Sequence, residues 1–105
     1  MISNEKTKYL SGYKVLSAKI ERLKYMIAAF PEGKEKYEKQ IAECNAKRDK
    51  MECEIDNIDG GILSEVVAEK YICGKSLEQI ANTVGYCKRQ IERLHIKAME
   101  KFCIS

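Results

Sequence analysis

Proline occurs once in this sequence, histidine once and tryptophan not at all. Each scarcity excludes something. Pro31 alone lacks a backbone N–H, so long stretches are free to complete helical hydrogen bonding. His95 is the single imidazole and no Cys-x-x-Cys pair exists, which leaves zinc without a ligand set. No run approaches the roughly 18 consecutive apolar residues of a membrane span, and the opening MISNEKTKYLSGYK holds no apolar stretch of signal-peptide length. A glycine-rich phosphate loop and a nucleophile elbow are both missing, and the carboxylates are spread along helices as solvating charges, so an enzyme is not expected. The expectation is a cytoplasmic protein without metal or other cofactor, its five cysteines reduced and partly buried.

Charge of one sign is also scarce. The net charge of +3 is too small for a chain that binds nucleic acid by bulk charge. Its placement is informative. From Tyr86 to the end, Lys88, Arg89, Arg93, Lys97 and Lys101 face only Glu92 and Glu100, so this one segment holds a surplus equal to that of the whole chain.

What is present is helical periodicity. Tyr13, Leu16, Ile20, Leu23, Ile27 and Phe30 alternate in steps of three and four, as a heptad seam does. This helix is expected to stop at Phe30, because Pro31 disfavours the α conformation before it and Gly33 supplies a turn position. A second seam runs through Tyr37, Ile41, Cys44, Arg48, Met51, Ile55 and Ile58. The Arg48 stem can lie along it while the head reaches water. Two such helices joined by Pro-Glu-Gly fold back naturally as an antiparallel hairpin, although spacing alone leaves open whether each seam is covered within one chain or between two. Asp59, Gly60 and Gly61 end the second helix and divide residues 1–59, read as a hairpin for oligomerisation or partner contact, from residues 60–105. All-α architecture follows.

Between Leu77 and Leu94 the residue types meet the steric demands of a helix-turn-helix. Ser76 can cap a helix, with Gln79 three residues on completing a capping box. Ile80 and Val84 point inward, Ala81 is small where a second helix passes, and Gly85 sits at the sharp turn. Ile91 and Leu94 anchor the last helix. At about 100° per residue, Leu94, Ala98 and Phe102 share the side of Ile91, while Arg89, Arg93 and Lys97 lie broadly opposite. A helix held by its apolar side and presenting arginines outward suits a major groove, where arginine pairs with guanine and lysine meets phosphate. Cys87 stands at the N-cap, where serine or threonine would cap better, so this helix start is expected to fray or to do without a side-chain cap. His95 reads as partly buried. Tyr86 and Ile96 both read as partly exposed, with tyrosine able to pack or touch backbone and Ile96 able to pack against the N-terminal hairpin.

The stretch LSEVVAEKYICGKSLEQIANTVGYCKRQIERLHIKAMEKF, within residues 63–105, resembles the region-four DNA-binding domain of RNA polymerase sigma factors. The shared pattern is an apolar first helix ending at a tyrosine, a glycine, S-x-x-x-I-A, a glycine turn, and a last helix closing on K-A-x-x-K-aromatic. With the helical first half, the chain is also similar to small phage and prophage regulators of the RinA and ArpU kind. The resemblance implies that Lys88, Arg89, Glu92 and Arg93 read bases of a promoter element. Glu92 departs from the basic residue often found there and could accept from cytosine, so the element read should differ from the usual one. Segments that bind the polymerase core and melt DNA have no counterpart.

The expected DNA-contacting set is therefore Ser76, Lys88, Arg89, Gln90, Glu92, Arg93, Lys97 and Lys101. The expected partners are double-stranded DNA, a second copy of the chain and RNA polymerase, with no membrane. The function expected is a phage- or prophage-type transcriptional regulator. Two alternatives stand beside it: a DNA-packaging protein similar to a small terminase subunit, and a sigma-like decoy that binds polymerase or an anti-sigma partner.

Overall fold

The computed structural model describes residues 4–104, which form five α-helices and, among the described residues, no strand. The helices are α1 (Asn4–Ala29), α2 (Lys34–Asp56), α3 (Gly61–Tyr71), α4 (Leu77–Val84) and α5 (Lys88–Lys101). None is long and apolar enough to cross a membrane.

Helix α1 leaves helical geometry at Phe30, whose φ of −133° and ψ of 73° suit a residue before proline. Pro31–Gly33 make one turn of 3-10 helix and the chain reverses into α2. Side-chain bonds show the two helices running in opposite directions: Tyr13 donates to Glu52 Oε1 at 2.9 Å, Arg48 donates to Ser17 Oγ at 3.4 Å, and Tyr9 donates to Glu54. Ile20 and Leu23 of the first seam, and Cys44, Met51 and Ile55 of the second, are buried within this one chain. Phe30 is exposed, so the first seam closes short of it; in compensation Leu10, upstream of the expected seam, is fully buried. The guanidinium of Arg48, a half-buried residue, lies 5.4 Å from the Tyr13 ring centre, within cation–π range, and its Nε is buried.

Helix α2 ends at Asp56 and Gly60, with a φ of 87° that a side chain would strain, turns the chain into α3. The sequence break does not divide the core. One apolar cluster joins Leu10 and Tyr13 of α1, Met51 and Ile55 of α2, Leu63, Val67 and Tyr71 of α3, and Ala98, Met99 and Phe102 at the end of α5. Phe102 is fully buried with the Tyr9 ring 6.2 Å away. Lys6 of α1 donates to the Met99 carbonyl at 2.9 Å and to that of Glu100 at 3.3 Å, placing a cation on the carbonyl end of α5.

Two polar groups inside this packing are satisfied by partners on other helices. Glu54 accepts from Tyr9 and lies 3.5 Å from Lys50 Nζ; burial first, then the Glu54 bond and charge, pushes the Tyr9 hydroxyl up to about 12. His95 Nε2 of α5 lies 3.0 Å from the Tyr71 hydroxyl of α3, which also bonds the Thr7 side chain of α1. Burial raises the Tyr71 pKa, and the Thr7 bond opposes that rise.

Burial, and second the nearby Lys70 charge, lower the His95 pKa. An imidazole whose pKa is lower folded than unfolded contributes stability that is full above the unfolded value of about 6.5 and is lost as pH falls below it. Urea midpoints of the native chain should therefore drop between pH 7.5 and pH 5.5. In His95→Gln, which takes up no proton, the midpoint should start lower at pH 7.5 but change clearly less across that interval; parallel curves would exclude His95 as the source.

Candidate nucleic-acid interface

The site is built on the last two helices. Ser76 caps α4: its Oγ accepts from the Gln79 N–H at 3.1 Å while Gln79 Oε1 accepts from the Ser76 N–H at 2.8 Å, so two otherwise orphaned donors are satisfied. The Ser76 hydroxyl is thus engaged in holding the helix start. At the other end Gly85 adopts φ 77° and ψ 25°, and the N–H groups of Gly85 and Tyr86 both reach the Ala81 carbonyl at 3.0 Å. Only Gly85, Tyr86 and Cys87 separate α4 from α5. A small apolar cluster fixes the angle between them. Val66 of α3, Ile80 and Ala81 of α4 and Ile91 of α5 are buried together, with Leu77, Val84 and Leu94 half-buried around them.

Cys87 begins α5 in extended geometry, and Gln90 ties the helix start, its Oε1 accepting from the Cys87 N–H at 3.1 Å. The helix start is thus held without a serine, and the Gln90 carbonyl is turned back onto its own helix, leaving the amide N–H groups to face a ligand.

The inner side of α5 is fully used, with Ile91, His95, Ala98 and Met99 buried. Its outer side carries Lys88, Arg89, Glu92, Arg93 and Lys97, all exposed, and among the described residues no ion pair within 4.0 Å holds the four cations. Lys101 is exposed but stands apart. It lies about 18 Å along the helix from Arg89 and lines a cavity of about 280 Å³ with Glu54, Asn57, Ile58 and Cys103.

Ile96 and Tyr86 are each 41 % exposed, the partial exposure expected of both. For Ile96 the reason is angular: five residues beyond Ile91 is about 140° around the helix, close to the direction of Arg89. The cysteines differ from expectation. Cys44 is buried between α1 and α2, whereas Cys53, Cys73, Cys87 and Cys103 are exposed. No group of three or more His, Cys, Asp or Glu suited to a metal occurs among the described residues.

No protein-family model, curated protein or solved structure matches the chain. The geometry of the turn makes its own prediction. A Cβ at Gly85 would meet nothing within 4 Å, so Gly85→Ala is penalised by the left-handed backbone alone. Thermal unfolding should show a loss of about 1 to 2 kcal/mol for Gly85→Ala and a smaller loss for Gly85→Asn, since asparagine tolerates that region better. Equal losses would mean that the turn is not held in this conformation.

Proposed function

We propose that this chain is a sequence-specific DNA-binding transcriptional regulator of the phage or prophage type. In this reading α4 and α5 act as a helix-turn-helix, α5 enters the major groove of a promoter-like site, and the α1–α2 hairpin serves partner contact. The observation that carries it is the division of α5 into two sides: an inner side buried from Ile91 to Phe102, and an outer side on which Lys88, Arg89, Arg93 and Lys97 are all exposed. A helix locked on one side cannot turn its arginines elsewhere, so they are displayed in fixed register to whatever the face meets. Major-groove guanine offers paired acceptors that match an arginine fork, and Glu92 can accept from cytosine.

The partners that go with this reading are double-stranded DNA, RNA polymerase and a second copy of the chain. The centres of both heptad seams are buried inside one chain, so chain pairing would draw largely on another surface. The outward side of α1, with Val15 68 % and Tyr25 69 % exposed, supports that part of the proposal.

Selection of bound sequences from a random duplex pool tests the reading, with an enriched motif as the expected result. On the enriched duplex, Arg89→Ala and Arg93→Ala should each cost about 1 to 3 kcal/mol and far less on random DNA. Lys97→Ala should weaken all duplexes alike and lower the slope of log affinity against log salt by about one unit. Ile91→Ala is the control, since it opens a cavity costing about 2 to 5 kcal/mol of stability rather than removing a contact. Folded arginine variants that bind as the parent does would remove α5 from the role of reader. Ring-sized oligomers with packaging activity would favour the terminase-like reading, and salt-insensitive or absent duplex binding the decoy.

A further inference from the structure

The outer side of α5 is charged except at one place. Ile96 lies near its centre, with Glu92 one turn before it, Arg93 three residues before it, Arg89 two turns before it and Lys97 next to it, and it is 41 % exposed. A single exposed aliphatic residue is ordinary on a protein surface. This position is less ordinary. A β-branched residue on a solvent-facing helix gives up helix propensity relative to the arginine, lysine or glutamate that fill the rest of the face. It gains no place in the buried core in exchange, because its side chain points away from Ile91, Ala98 and Phe102, and 41 % of its surface stays uncovered within the chain.

Resting on the reading that α5 enters a major groove, the chemistry of that groove narrows what could cover Ile96. The base edges there present hydrogen-bond donors and acceptors, which an isoleucine would leave unpaired, and one apolar group, the 5-methyl of thymine. We infer that Ile96 is a specificity-determining residue that packs on a thymine methyl group, so that the site read by α5 contains a required thymine beside the guanines read by its arginines. The surrounding charge fits this occupant. With Arg89 and Arg93 on bases, Lys88 and Lys97 are left to suit the phosphates on either side of the groove, whereas Glu92 and Glu100 oppose a purely electrostatic contact and favour one fixed in register. Ile96 is seven residues beyond Arg89, about 10 Å along the helix axis, so the thymine and the guanine paired with Arg89 are separate base pairs of one site.

The test uses the full chain and the duplex enriched from a random pool, with each thymine replaced in turn by deoxyuridine, which removes the methyl and leaves every hydrogen-bonding group in place. For the native protein one such replacement should weaken binding about 3- to 5-fold, the size expected for one buried methyl. With Ile96→Ala that same replacement should have no effect, and Ile96→Val should show an intermediate loss. Since Ile96 is outside the core, circular dichroism and the melting temperature should be unchanged in both variants. The inference is overturned if no replacement affects the native protein, if the enriched site contains no thymine, or if Ile96→Ala keeps the full methyl dependence. Weakening by Ile96→Ala that ignores the methyl would likewise overturn it and assign the residue to a protein contact. Absence of any sequence-selective duplex binding is a separate result, which removes the DNA-binding reading itself.

Discussion

The burial of the inner side of α5 is the constraint on which the rest depends. Phe102 closes that side, fully buried between the N-terminal helices and α3, and Ile91 opens it, fully buried against α3 and α4. Truncating a buried phenylalanine costs about 3 to 5 kcal/mol, a large part of the stability of a domain this small. With both ends pinned, α5 has no rotational freedom about its axis. Which residues face outward is then decided by helical geometry alone, and that is why a modest net charge of +3 can be concentrated into one basic face.

The same packing ties the first helix to the last. Lys6 reaches the final carbonyls of α5, Tyr9 lies against Phe102, and Thr7, Tyr71 and His95 form a hydrogen-bonded link from α1 through α3 to α5. Buried polar links of this kind are specific, because slipping any helix by one turn would leave a donor or acceptor without its partner at a cost of about 1 to 3 kcal/mol. Two segments that look separable in sequence behave as one packed unit around Leu10, Ile55, Val67 and Met99.

Features set by local chemistry were legible in the sequence. The proline stop after α1, the Ser76–Gln79 box, the glycine of positive φ at Gly85 and the periodicity of both long helices each need only a few neighbouring residues, and all are found. Features set by tertiary contact were not. Leu10 joins the core because α3 and α5 close over the start of α1, which no heptad register reveals, and Glu54 is buried because Tyr9 stands opposite it. Arg48 lies over the Tyr13 ring, and His95 meets Tyr71, for the same reason. Ile96 is different. No tertiary contact is needed to expose it, because its partial exposure follows from the same helical angle that turns the arginines outward.

The central claim is that α5 lies in a major groove, and chemical protection of purines tests it most directly. Dimethyl sulfate methylates guanine at N7, which opens onto the major groove, and adenine at N3, which opens onto the minor groove. With the native chain bound to its selected duplex, guanine N7 should be protected at one or more positions that lose protection in Arg89→Ala or Arg93→Ala, while adenine N3 reactivity stays at the level of free DNA. Protection confined to adenine N3, or N7 protection indifferent to both arginines, would contradict the account.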